Sequence, residues 1–373
     1  MMKGRSRRDR RIRRAGIVSV GKYMPPTVLT NRDLEEIVDT SDDWIVERTG
    51  IRERRVARSG ERQSDLALKA SREALARAGW DAEDLDMIIV ATVTPDYIVP
   101  SSANTLAGKL GAIGAASSDT LAACSGFLYA MHQGVTAVES GRADRVLVVG
   151  SELMTTITNW GDRSTCVLFG DGAGAILLAP VPEPLGVVDM LLGSDGRYEE
   201  VLRMRAGGSA FPASHETVDK GWHYLEMEGP EVFKLAVRSM LQVSSTLLER
   251  NRIKPSRLGC FIGHQANLRI IEAVTKRLGL KPTQVYNNIE RYGNTTSATI
   301  PTCMYGAEME GKIKKGDWVL LVSFGAGLTW AGILLRWAVG RLPRLEEKAG
   351  LPSDTAVDTY PDRLKPGRDR QER

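Results

Sequence analysis

The chain has 373 residues, 42% of them hydrophobic and 26% charged, with a formal net charge of only +4. Those values are ordinary for a globular protein, and the length suits two packed units of about 150 residues each. Units of that size need no disulfide or metal staple. The four cysteines (Cys124, Cys166, Cys260, Cys303) lack the close spacing of a zinc framework, so no metal site is expected.

Residues 1–14 read as a basic leader. Between Lys3 and Arg14 it carries eight Lys or Arg against one acid, Asp9. A nucleic-acid or anionic-membrane arm and a solvated leader both fit this pattern. The solvated reading is favoured, so neither nucleic acid nor a stable membrane association is expected. A twin-arginine export signal would need a longer apolar stretch than Ala15–Val20, which reads as a first strand. With no secretory signal, reduced thiols and a cytoplasmic location are expected.

Ser64 to Ala78 places Leu66, Leu68, Ala70, Ala74 and Leu75 at helical spacing, and a loop then leads to the apolar strand Met87–Ala91. Such a strand is buried on both faces, as in sheets covered by helices. The middle segment, Asp119 to Met131, sets Cys124 behind small residues and just before a helix expected over Phe127–Val138. Backbone N–H groups at a helix start favour thiolate, which attacks thioesters readily. A buried structural thiol is the commoner fate of a free cysteine. A strand at Val146–Gly150 follows, and a Pro-rich join at Pro180–Pro184 ends the first half.

The second half repeats the first. Val232–Leu248 is again helical, the loop Arg252–Gly259 follows, and Cys260–Gly263 is a strand. Leu85 and Leu258 hold equivalent places, as do Asp144 and Asp317, and both pairs lie 173 positions apart. One shared offset argues for a duplication, with halves at 15–184 and 185–339 and a polar tail at 340–373. The fold class is α/β with two similar halves packed together.

His264 stands at the end of its strand, before a helix expected over Leu268–Leu278. Strand ends are where α/β proteins place their sites, although a lone histidine is more often a satisfied core or surface residue. Gly293-Asn294 permits a tight turn that presents an amide. Val319 to Leu335 is uncharged but reads as two buried strands around Phe324-Gly325-Ala326-Gly327, not as a membrane span. The N–H groups of Ala326 and Cys124 could together form an oxyanion hole.

These segments resemble β-ketoacyl-acyl-carrier-protein synthase III, the initiating condensing enzyme of type II fatty-acid synthesis in the thiolase-like superfamily. The likeness runs from about Ala15 to Trp337. Its motifs are Asp39-Thr-Ser-Asp-Asp-Trp44 through Arg54, Ala-Ala-Cys124-Ser-Gly-Phe, Phe169-Gly-Asp-Gly-Ala-Gly174, His264-Gln-Ala-Asn267-Leu-Arg269, Gly293-Asn294-Thr and Phe324-Gly-Ala-Gly327. The resemblance implies a thiolase-like five-layered αβαβα sandwich of two duplicated halves and a homodimer. It implies a Cys124, His264, Asn294 set that condenses an acyl-CoA primer with malonyl-acyl-carrier protein, with no cofactor and no metal.

It further implies that Phe324 shields the carboxylate pocket and that Trp44 stacks on the CoA adenine opposite Arg163. Arg48 would meet the phosphates, and Thr40, Gly229 and Asn267 would line the pantetheine channel. Val99, on the segment Thr94–Pro100, would line the acyl pocket of the partner subunit. An acidic carrier protein needs a basic face, for which Lys234, Arg269, Lys276 and Arg277 are candidates; a solvated helix face fits each of them nearly as well. Gly263 and Pro230 depart from the family pattern, and Pro230 puts one pantetheine contact in doubt.

A thiolase would need a second cysteine in the loop Ser323–Thr329, which has none. A chain-extending synthase would carry histidine where Asn294 stands. A cysteine hydrolase would want a Cys-Trp context. A scaffold would not need the intact set. An acyltransferase or ketosynthase of secondary metabolism with the same set remains the alternative.

Overall fold

The computed structural model describes residues 13–340. Most of the basic leader (1–12) and of the polar tail (341–373) lies outside the described residues. The first half contains β1 (Arg14–Tyr23), β2 (Thr27–Thr30), α1 (Asn31–Glu35), α2 (Asp42–Thr49), β3 (Glu53–Val56) and α3 (Gln63–Ala78). It continues with β4 (Met87–Ala91), α4 (Ser102–Leu110), β5 (Ala116–Thr120), α5 (Gly126–Glu139), β6 (Val146–Leu153) and β7 (Asp171–Val181). After the Pro-rich join come β8 (Gly186–Ser194), β9 (Leu202–Met204), α6 (His215–Asp219), β10 (Leu225–Met227) and α7 (Gly229–Arg250). The last elements are β11 (Cys260–Gly263), α8 (Leu268–Leu278), α9 (Ile289–Tyr292), α10 (Thr299–Met309), β12 (Trp318–Gly325) and β13 (Thr329–Arg336).

Two sheets carry the architecture. One runs β1-β7-β6-β4-β5 and the other β11-β12-β13-β8. In each, a parallel pair (β4 with β6, β11 with β12) continues into two antiparallel steps. The 173-residue offset carries β4 onto β11 and α5 onto α10, so the repeat read in the sequence is also a repeat of topology.

Alternating side chains along each strand build the layers. Val146, Val148, Val319 and Leu321 face inward onto α5 and α10, whose Phe127, Met131, Val135, Ile300 and Met304 fill the space between the sheets. Leu147 and Val149 face outward onto α3 and α4. Leu320 and Val322 face outward onto α7 and α8. The result is five layers: helices, sheet, helices, sheet, helices. Helix α5 is apolar almost all round because both of its sides are covered. Each fully buried Phe, Met or Leu there contributes about 1.5–3 kcal/mol.

A smaller cluster around Leu29, Ile45, Val56 and Phe169 packs beside the sheets. It is pinned by Arg54, which is fully buried and donates to the Leu29 carbonyl (3.2 Å), Asn31 Oδ1 (2.8 Å) and the Val167 carbonyl (2.6 Å). That clamp locks the β2–β3 hairpin against the segment preceding Phe169.

Candidate active site

Cys124 sits in a tight turn, Ala123–Ser125, between β5 and α5. Ala123 adopts φ 46°, a conformation that costs a non-glycine residue about 1–2 kcal/mol. Thr296, which approaches the Cys124 thiol, has φ 50°. Among the described residues Arg252 is the remaining non-glycine residue with positive φ, so backbone strain concentrates at this site.

The turn from Phe324 to Leu328 lies against the cysteine. A Cβ on Gly325 would stand 2.8 Å from the Cys124 backbone nitrogen and 3.0 Å from that of Ser125, so only glycine fits without displacement. Thr329 Oγ1 donates to the Ala122 carbonyl (3.1 Å) or that of Ala326 (3.2 Å), and Ser125 Oγ donates to the Thr329 carbonyl (3.2 Å). These bonds stitch the two turns together and hold Ala326 beside the nucleophile's turn. Phe324 is buried on the face of β12 that packs toward α7 and α8.

Burial opposes the Cys124 thiolate that the position before α5 favours. Burial pushes its thiol up to about 12, with the nearby Glu152 charge adding to the rise. Its own backbone N–H and the Thr296 hydroxyl pull the other way.

His264 follows β11, and its backbone N–H donates to the Val322 carbonyl at 2.8 Å. Its Nδ1 lies 2.7 Å from Thr299 Oγ1, while its buried Nε2 has no hydrogen-bond partner in the protein. Burial pulls its pKa down to about 3, so the ring is neutral near pH 7.

Gly293 holds φ 61° at the turn into Asn294. The Asn294 backbone pairs with the Phe169 motif: its N–H donates to the Leu168 carbonyl (2.8 Å) and its carbonyl accepts from Gly170 N–H (3.1 Å). Asn294 Oδ1 accepts the Thr296 N–H at 2.9 Å. An amide that accepts through its oxygen leaves its NH₂ group to donate elsewhere.

One turn, residues 294–299, therefore touches all three candidates. It contains Asn294, its residues Thr296–Ala298 pack against the Cys124 turn, and its Thr299 contacts His264. Sequence reasoning missed Thr296, Ser297, Thr299 and Glu152. Ser297 Oγ lies 2.7 Å from Glu152 Oε1 and 2.8 Å from the Ala91 carbonyl, joining the second half's turn to β4 and β6. Glu152 is fully buried, also accepts from Thr92, Val93 and Thr94, and has a pKa pushed up to about 7 by burial. The available signals were an acid within an apolar strand and four hydroxyl residues in a row of five after Asn294.

Trp44, on α2, is flanked by Arg48 at 4.9 Å and Arg163 at 5.4 Å from its ring centroid. Thr40 Oγ1 is buried without a partner. Asn267 caps α8 through Oδ1 and donates from Nδ2 to the Arg48 carbonyl (2.9 Å), joining the Trp44 helix to the His264 loop. Gly229 opens α7, and Pro230 occupies its first turn, where no N–H is needed.

The basic candidates do not form one tight patch. Lys234 is paired with Glu231 (3.3 Å), and Arg269 rests over the Phe233 ring (5.8 Å). Lys276 and Arg277 lie in the last turn of α8, about 10–12 Å along the axis from Arg269. Val99 is 83% exposed in the single chain, so its pocket role depends on a second copy. Among the described residues no group of three His, Cys, Asp or Glu is arranged to hold a metal, and no helix is long and apolar enough to cross a membrane.

Comparison with known proteins gives a consistent result. Residues 118–196 match the family profile of 3-oxoacyl-[acyl-carrier-protein] synthase III, and residues 248–337 match that of its C-terminal part. The chain is 50% identical over 324 residues to the β-ketoacyl-[acyl-carrier-protein] synthase III of Caldanaerobacter subterraneus subsp. tengcongensis, covering 87% of this chain and 98% of that one. It is 51% identical over 328 residues to the synthase of the same name from Solibacter usitatus (87% and 99% covered). The crystal structure of 3-oxoacyl-[acyl-carrier-protein] synthase III from Aquifex aeolicus superposes with a TM-score of 0.81 at 43% identity, covering 87% and 100% of the two chains. The priming β-ketosynthase of the R1128 polyketide pathway superposes with a TM-score of 0.83 at 34% identity (90% and 99% covered).

Proposed function

The chain belongs to the β-ketoacyl-acyl-carrier-protein synthase III family and is the acyltransferase that initiates fatty-acid synthesis by condensation; from that premise we propose how its residues divide the reaction. Cys124 Sγ attacks the carbonyl carbon of an acyl-CoA. The Cys124 and Ala326 N–H groups hold the developing oxyanion. The carbon–sulfur bond to CoA breaks, and CoA leaves as the thiol with the proton that Cys124 gave up.

Malonyl-acyl-carrier protein then takes the vacated channel. His264 and Asn294 donate hydrogen bonds to its thioester oxygen. The malonyl carboxylate departs as CO₂, and its bonding electrons form an enolate held by the same two donors. The enolate carbon attacks the acyl carbon, the bond to Cys124 breaks, and the thiolate takes up one proton. Decarboxylation makes the carbanion, so no base must remove an α-proton and the scheme calls on no metal or cofactor.

The observation that carries this reading is the turn 294–299, which packs against the Cys124 turn, contacts the imidazole and contains the amide. Supporting the substrate assignment, Trp44 offers an aromatic face between two guanidinium groups, and Thr40 offers an unpartnered hydroxyl. Arg269, Lys234, Lys276 and Arg277 would meet the carrier protein. We place the division between the halves at 184/185 and assign the working form as a homodimer. Exposed Tyr97, Ile98, Val99, Ile113 and Leu121 favour such a dimer, because a second copy would cover them. A cytoplasmic location fits four unpaired cysteines. A secondary-metabolic role has weaker support than the fatty-acid one.

Intact-mass measurement after mixing with acyl-CoAs of several lengths tests the scheme. The protein should gain one acyl mass, Cys124→Ala should gain none, and malonyl-carrier protein should discharge the adduct with CO₂ release. A wild-type sulfur that takes no mass from any thioester would end the proposal.

A further inference from the structure

Thr299 holds one hydroxyl hydrogen between two neighbours. Its Oγ1 lies 2.7 Å from His264 Nδ1 and 2.9 Å from the Thr296 carbonyl oxygen. A hydroxyl donates once and can accept as well. When it donates to Thr296, the contact with the ring needs a hydrogen on Nδ1, and a neutral ring then has a bare lone pair on Nε2. When it donates to Nδ1, the ring hydrogen sits on Nε2. Because Nε2 has no partner within the protein, Thr299 is the side chain whose bonding distinguishes the two tautomers.

The distinction matters for condensation. A lone pair on Nε2 would repel the enolate oxygen, whereas Nε2–H would stabilise it. We propose that Thr299 is a positioning residue for this reaction, turning its hydroxyl onto His264 Nδ1 so that Nε2–H faces the malonyl thioester. This rests on the reading of His264 as a donor. The same turn orients the second donor, since Thr296 N–H holds Asn294 Oδ1 at 2.9 Å. Thr299 is itself anchored by α10, where Thr302 Oγ1 donates to its carbonyl at 3.0 Å. Both donors are thus set by one short piece of buried backbone. Thr299 touches no reacting atom.

The test uses the full-length enzyme with Thr299→Val, which keeps the shape and removes the hydroxyl, and Thr299→Ser, which restores it. Thr299→Val should lower the condensation kcat about 10- to 100-fold, the loss expected when a buried hydrogen bond to the ring is removed. The rate of self-acylation should change less than about threefold, since that half-reaction does not use Nε2–H. Thr299→Ser should recover most of the loss. Nitrogen-15 NMR of the imidazole should show Nε2 protonated in wild-type acyl-enzyme and a changed tautomer ratio in Thr299→Val.

A folded Thr299→Val with unchanged condensation overturns the inference. If that variant does not fold, the wild-type spectrum still decides, because a ring protonated on Nδ1 in the acyl-enzyme also overturns it. Asn294→Asp separates the two levels. If it too retains condensation, the assignment of the donors has failed; if it loses condensation while Thr299→Val does not, only the role of Thr299 has.

Discussion

Replacing Asn294 by aspartate separates the geometry of the site from its chemistry. The Asn294 side chain does two things: Oδ1 accepts the Thr296 N–H at 2.9 Å, and the NH₂ group is left to donate toward substrate. Aspartate keeps the acceptor, so Thr296 should stay in its strained position beside Cys124. It removes the donor and sets an acid where the enolate must form. Loss of one such donor costs about 10²–10³-fold in rate, or about 2.7–4 kcal/mol, and charge repulsion adds to that. Self-acylation should stay within about threefold, because its oxyanion is held by other groups. Asn294→Ala should differ, since it also strands the buried Thr296 N–H at a cost of about 1–3 kcal/mol and loosens the turn that faces the thiol. Single-turnover acylation by mass spectrometry and CO₂ release from malonyl-carrier protein measure the two halves separately. Lowering the pH should restore part of the condensation in Asn294→Asp, because a protonated carboxyl can donate. Equal loss of both half-reactions in the aspartate variant would refute the division of roles.

Other outcomes follow from distances and burial. Gly325→Ala places a methyl 2.8 Å from the Cys124 nitrogen, where only backbone movement relieves it; overpacking of about 1–3 kcal/mol should lower the melting temperature and slow self-acylation together. Glu152, raised from 4.5 to about 7, keeps its proton in the folded state at a pH where the unfolded chain has lost it. Its contribution is therefore fully present below about pH 4.5 and is lost as pH rises through 7, a fall of up to about 3 kcal/mol. Urea unfolding at pH 5 and pH 8 should show this slope in the wild type and a flatter one in Glu152→Gln; identical slopes would contradict it. Trp44→Ala should raise KM for acyl-CoA about tenfold, in line with about 1–3 kcal/mol for aromatic stacking on a base, while leaving condensation by pre-acylated enzyme unchanged.

Local pattern determined much of this protein without help from the fold. Continuous apolar runs specify β4, β6 and β11, because a strand covered on both faces has no polar side to show. Glycine after Ala78 and Leu278, and Asn267 before Leu268, mark helix ends through backbone conformation and capping. The shared 173-residue offset exposed the duplication because both halves solve the same packing problem. Cys124, His264 and Asn294 could be singled out as candidates because each stands in a short motif at a strand end, helix start or tight turn.

What the sequence did not contain was the environment of those side chains. The place of Cys124 before α5 favours a thiolate, whereas burial in the folded protein pushes the thiol up. Thr299 gains meaning only because β11 and α10 bring positions 264 and 299 within 2.7 Å. Glu152 reads as an anomaly in an apolar strand until Thr92, Thr94 and Ser297 close around it. Propensity and periodicity are properties of neighbouring residues and can be read along the chain, whereas solvation and hydrogen-bond partnership arise where distant segments meet, and so were decided only by the tertiary structure.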